Sequence, residues 1–188
     1  SNQIHFEKNL ELVKNMVDQK LVYGLGVSLV NPTDEFINKI KDFPNAVVHV
    51  INGVVTSKEM LKLADHELKV LVLGYKMLRR GEEYYKNKVE SIAANQQWMY
   101  NNLPSLLNKF AVLSFDNLAI EQLEIEKRWR EFSDEPWDEF YAGDDGEFTY
   151  YIDMVERQFA KSSTAPFDKR YNLLDNVDDM FKIIQNEK

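Results

Sequence analysis

Between residues 6 and 132 the apolar positions switch repeatedly between helical spacing and short, nearly unbroken runs. In FEKNLELVKNMVDQ, residues 6–19, Phe6, Leu10, Val13 and Val17 form one stripe, which predicts a helix. The uncharged LVYGLGVSLV that follows, Leu21 to Val30, predicts a strand. NPTDEFINKIKDFPN offers Thr33 as a helix N-cap, Phe36, Ile37 and Ile40 as the buried stripe, and Pro44 as the stop. AVVHVINGVVTSKEM then reads as a buried strand that turns at Asn52-Gly53 into a helix opened by Thr56 and Glu59, the spacing of a capping box. LKVLVLGYK predicts a third strand, 85–109 a long helix, FAVLSFDN a fourth strand and LAIEQLEIEKRWREF a last helix. Strands alternating with helices over short connections predict a parallel sheet built from right-handed βαβ units.

Past residue 132 the pattern changes. SDEPWDEFYAGDDGEF is rich in turn residues, FTYYIDMVERQFAKSST predicts an antiparallel hairpin, and Leu173, Leu174, Val177, Met180, Phe181 and Ile184 predict a final helix. The expected organisation is therefore a βα region over 1–132 with a hairpin-and-helix appendage over 133–188, packed as one domain.

Side chains alternate across a strand, so the predicted strands also have faces. Tyr23, Leu25, Val27 and Leu29 oppose Gly24, Gly26 and Ser28; Val48 and Val50 oppose His49, Ile51 and Gly53; Leu113 and Phe115 oppose Ser114 and Asp116. One face is bulky and suits helices, whereas the other is small or polar. Parallel sheets bind ligands at the carboxyl ends of their strands, where Asn31, Asn52-Gly53, Tyr75-Lys76 and Asp116-Asn117 fall. His49 is expected to look into that pocket, against the alternative of a buried histidine bonded to neighbouring backbone.

Composition narrows the chemistry. The chain has 188 residues, of which 44% are hydrophobic and 29% charged, with net charge -8. That balance argues against a nucleic-acid surface, which needs a basic stripe longer than Arg79-Arg80. No run of about 18 apolar residues is present, so no membrane span is expected, and the chain is expected to be cytoplasmic. There is no cysteine, which removes disulfides and thiolate-held metals from consideration. The three histidines lack metal-ligand spacing, the Gly-Leu-Gly at 24–26 lacks the third glycine of a dinucleotide turn, and the acidic DEPWDEF and GDDG segments do not fit a calcium loop. A start at Ser1-Asn2 without methionine is read as a processed or engineered end.

VHVINGVVT, with GVSLVN before it and LVLGYK after it, resembles the second half of the radical S-adenosylmethionine (radical SAM) domain, a partial βα barrel. GYKMLRRG, SFDNLAIEQL and GDDGEFTYYIDMV are similar to a group of radical SAM proteins common in phages and prophages. In that family the fifth strand carries Gly-x-Ile-x-Gly-x-x-Glu; here Ile51 and Gly53 match, His49 stands for the first glycine and Thr56 for the glutamate. The resemblance implies an α/β fold, half a TIM-like barrel of about four parallel strands with flanking helices. It implies that Ser28, His49, Ile51, Asn52, Gly53 and Gly74 border the cofactor, while Lys76, Arg79, Arg80, Asp116 and Asn117 face substrate.

The family's Cys-x-x-x-Cys-x-x-Cys loop, which holds a [4Fe-4S] cluster, has no counterpart here. The intact protein is expected to use S-adenosylmethionine and that cluster to generate a 5′-deoxyadenosyl radical, and this chain alone to hold neither and to be inactive. The alternative is a complete, non-catalytic α/β module that binds a small anion or a protein partner. If the first half of a barrel is missing, the strand from Leu21 to Val30, with no charge along it, is an open edge that the chain either pairs with a second copy, the homodimer being favoured, or covers with its own hairpin, residues 147–164.

Overall fold

The computed structural model describes residues 2–78, 80–141, 143, 146, 147 and 149–186. The chain divides into two compact units, residues 1–134 and 135–188.

The first unit contains helices α1 (Gln3–Lys8) and α2 (Leu10–Asp18), strand β1 (Leu25–Ser28), α3 (Asp34–Lys41), β2 (Ala46–Ile51), α4 (Ser57–Leu63), β3 (Lys69–Leu73), α5 (Arg80–Leu107), β4 (Val112–Phe115), α6 (Asn117–Gln122) and α7 (Ile125–Phe132). The helix starts are set by side chains. Thr33 accepts from the Phe36 amide, Asp116 from the Ala119 amide, and Thr56 and Glu59 form the complete reciprocal capping box.

The four strands are parallel and lie in the order β1-β2-β3-β4, the order in which they occur along the chain. In a sheet wound in one direction, right-handed crossovers place every helix on the same side. Burial agrees with this. Val27, Val48, Val50, Val70 and Val72 stand in register on one face, and none is more than 2% exposed. Phe36, Ile37, Ile40, Met60, Leu63, Leu103 and Leu106, buried on the helices, supply the rest of that layer. Each such side chain removed from water contributes roughly 1.5–3 kcal/mol. On the opposite face, Val47, His49, Leu71, Leu73 and Ser114 are half-buried, and Ile51 and Val112 are 42% and 46% exposed. A parallel sheet in sequential order, with its fully buried face against the helices, has the arrangement of a βα-barrel sector in which the less buried, bare face corresponds to the barrel interior.

Several boundaries differ from those the sequence predicts. The first helix is broken at Asn9 (φ -116, ψ 28), and the last is broken at Glu124, which sits in the left-handed region (φ 45). The strand expected from Leu21 to Val30 is ordered as a strand only from Leu25, because the chain before it makes turns in which the Leu21 and Val22 amides both bond to the Met16 carbonyl. The bare face is also less polar than alternation implied, since Leu71 and Leu73 share it with His49 and Ile51.

The second unit pairs β5 (Tyr151–Asp153) with β6 (Gln158–Ala160) as the expected antiparallel hairpin. A third strand, β7 (Tyr171–Asn172), pairs with β6 and was not foreseen. Helix α8 (Val177–Gln185) packs Met180 and Ile184 against Phe159. Arg170 pins the sheet's end by pairing with Asp153 at 3.5 Å and lying over the Phe167 ring. Among the described residues no helix is long and apolar enough to cross a membrane.

Candidate functional site

The carboxyl ends of β2 and β3 open, on the bare face, into a cavity of about 490 Å³. Its lining is mainly apolar, from Ile51, Val54, Leu73, Tyr75, Leu78 and Tyr84, while Lys76, Arg80 and Asp116 bring charge to it. Ile51 and Leu73 are register partners, so their side chains stand next to each other on the sheet and form its floor. This size and mixture, an apolar body with a few polar groups, is that of a small-molecule site.

The wall formed by Gly74 and Tyr75 continues β3 without a neighbouring strand, and helix α6 holds it in place. Asp116 Oδ1 accepts from the Gly74 amide and, at the helix start, from the Ala119 amide, each at 2.8 Å. At the other end of α6, Gln122 Oε1 accepts from the Tyr75 amide and its Nε2 donates to the Tyr75 carbonyl, both at 2.8 Å. The carboxamide thereby copies the two bonds a strand would make. A side chain at Gly74 would collide with Leu118, whose Cβ would be 2.6 Å away, so glycine is what lets α6 come this close.

The expected cofactor-side residues divide into two groups. Ile51 and Gly74 line the cavity. Ser28 is exposed at the end of β1 and is not among the lining residues. His49 shares the bare face but is not among them either; its imidazole lies across Gly26 on the adjacent strand. Burial pulls its pKa below the ordinary 6.5, favouring the neutral ring. Asn52 is fully buried on the helix side, where its Nδ2 donates to Gln122 Oε1 at 3.1 Å, so it supports the Tyr75 wall from behind. Gly53 is a turn residue at φ +85 whose carbonyl accepts from Asn95, and a side chain there would meet Ile92.

Of the expected substrate-side residues, Lys76, Arg80 and Asp116 line the cavity, and Asn117 is half-buried in the first turn of α6, outside the lining set. Arg79 lies outside the described residues, as do Asp144 and Asp145 of the acidic GDDG turn. Sequence reasoning missed Val54, Leu73, Leu78, Gly81 and Tyr84, and named Tyr75 only as a strand-end residue beside Lys76. For Leu73 and Tyr75 the available signal was their alternation, which places them with Ile51 once β2 and β3 are in register.

The outer edge of β1, expected to be open, is met near its carboxyl end. Asn2 forms a parallel bridge with Ser28, and the buried Gln3 carboxamide accepts from the Val30 and Asn31 amides and donates to the Asn31 carbonyl. Comparison with known proteins finds no relative: no family model matches the chain, and neither a curated protein nor a solved structure does.

Proposed function

We propose that this chain is the C-terminal half of a radical SAM enzyme's barrel, contributing part of the nucleoside wall and part of the substrate pocket. One observation carries the reading: the sheet is wound in one direction and bare on the other side, with its cavity at the strands' carboxyl ends. A barrel sector supplies that arrangement, and its bare face is covered in the whole protein by what the missing strands bring.

The residues present fit a nucleoside. Ile51 and Leu73 offer apolar surface for a base, and Gly74, whose Cβ position points at Leu118, presents only backbone to the cavity. They do not fit an iron-sulfur cluster, because the chain has no cysteine to ligate iron. When bound in the intact enzyme, S-adenosylmethionine supplies the reactive carbon centre; this chain's own part is to bind, orient and exclude water. Lys76, Arg80 and Asp116 stand at the side assigned to substrate. A cysteine-free, acidic chain suits a cytoplasmic setting.

A second reading, a complete binding module for a small anion, is favoured by the described residues of the cavity wall, Lys76 and Arg80 among them, which all belong to this unit. The reading frame ahead of Ser1 separates the two. Three cysteines in the family spacing support the enzyme, and a natural start within a few codons of Gln3 supports the module. Self-association through the outer edge of β1 belongs to either reading, and light scattering over a range of concentrations that gives a single monomeric mass rules it out.

A further inference from the structure

The first two turns of α5 are set off from the rest of that helix by a break in its backbone. Lys88, inside it, has non-helical backbone angles (φ -137, ψ 16), so residues 80–87 and 89–107 are two helical pieces that meet at a kink. The second piece is anchored by buried Ile92, Met99, Leu103 and Leu106. The first has no buried residue among 80–87; only Gly81 and Tyr85 are half-buried. Within the piece the Lys86–Glu82 ion pair and the bond from Asn87 to the Glu83 carbonyl are local.

Three features of this piece face the cavity or its wall. Arg80, Gly81 and Tyr84 line the cavity. The buried Tyr75 hydroxyl donates to the Gly81 carbonyl at 2.5 Å, and the Tyr75 and Tyr85 rings lie 6.2 Å apart. Any side chain at position 81 would run into the Lys76 carbonyl, so the turn sits directly on the segment that follows β3. Tyr75 itself is held by both of its backbone groups on Gln122, which makes it a fixed post for a loosely held element.

We propose that residues 80–87 are a flap that pivots at Lys88 to admit and enclose the cavity's ligand, with the Tyr75 hydroxyl on the Gly81 carbonyl as its latch. The proposal rests on the cavity being the binding site argued above. Closure brings Arg80 and Tyr84, a cation and an aromatic face, onto the same molecule, which suits a substrate that combines an apolar body with an anionic group.

Amide hydrogen exchange on the whole chain tests this. The informative amides are 84–87, the first in the helix with intrahelical partners, with 92–106 as internal control of folding. In the wild-type chain 84–87 should exchange faster than 92–106. Tyr75→Phe, which removes only the hydroxyl, should speed 84–87 by about tenfold and leave 92–106 unchanged, as expected for loss of one hydrogen bond. Millimolar 5′-deoxyadenosine should slow 84–87 in both proteins. Equal protection across α5, or no response to Tyr75→Phe, overturns the flap whatever the nucleoside does. A response to Tyr75→Phe without one to the nucleoside supports the flap and counts against the nucleoside reading of the cavity.

Discussion

The His49 imidazole occupies the space that Gly26 leaves on the neighbouring strand: a Cβ at position 26 would lie 2.6 Å from His49 Nε2. The two residues are diagonal neighbours, two positions out of direct register, since Gly26 pairs with Val47 and Ser28 with His49. The histidine inside the valine run therefore spans to the next strand, and the glycine is required by it. Gly26→Ala should cost about 1–2 kcal/mol through overpacking, reduced by whatever the half-exposed ring gains by moving aside. In a His49→Ala background the same substitution should be neutral or stabilising, because glycine within a strand is otherwise unfavourable by roughly 0.5–1 kcal/mol. Chemical denaturation of the four proteins measures the coupling; additive changes would refute the contact.

This pair also shows how far the sequence is legible. Alternation along VHVI places His49 on the face opposite Val48 and Val50, and the structure keeps it there. Whether it reaches along the strand into the cavity or across to Gly26 depends on register and rotamer, which periodicity does not carry. The same limit explains Asn52. Its position at a strand end marked it for a site, yet parity with Val50 turns it toward the helices and onto Gln122. Thr56 and Glu59 were readable because a capping box is local in sequence. Gln122's grip on Tyr75 spans 47 residues and leaves no local trace.

Stability should depend on pH through His49. Its pKa is lower in the folded chain than the ordinary 6.5, so on acidification the unfolded chain takes up the proton first. The contribution is complete above about pH 6.5 and is lost as pH falls below it toward the folded value. Melting temperatures between about pH 5 and 8 for wild type and His49→Gln check this; the variant's curve should be flatter on the acid side, and parallel curves would contradict it.

Gln122 should matter more for the wall than its surface position implies. Gln122→Ala removes both bonds to Tyr75 and leaves the fully buried Asn52 without its acceptor. The expected loss is about 2–3 kcal/mol, with faster amide exchange at Tyr75. Asn52→Leu in the same background should recover part of it, since the buried carboxamide at position 52 is then no longer orphaned. A loss below about 0.5 kcal/mol would show that the clamp is not what holds this segment.

If, as proposed, the cavity at the strands' carboxyl ends is a nucleoside-facing surface of a half-barrel, nuclear magnetic resonance titration of the chain with 5′-deoxyadenosine should reveal it. On the half-barrel reading the affinity should be weak, in the millimolar range, about 4 kcal/mol. The shifts should concentrate at Ile51, Leu73, Gly74 and Tyr84 and disappear in Ile51→Glu. Shifts confined to other parts of the chain, or none up to the solubility limit, would refute a nucleoside site in this cavity.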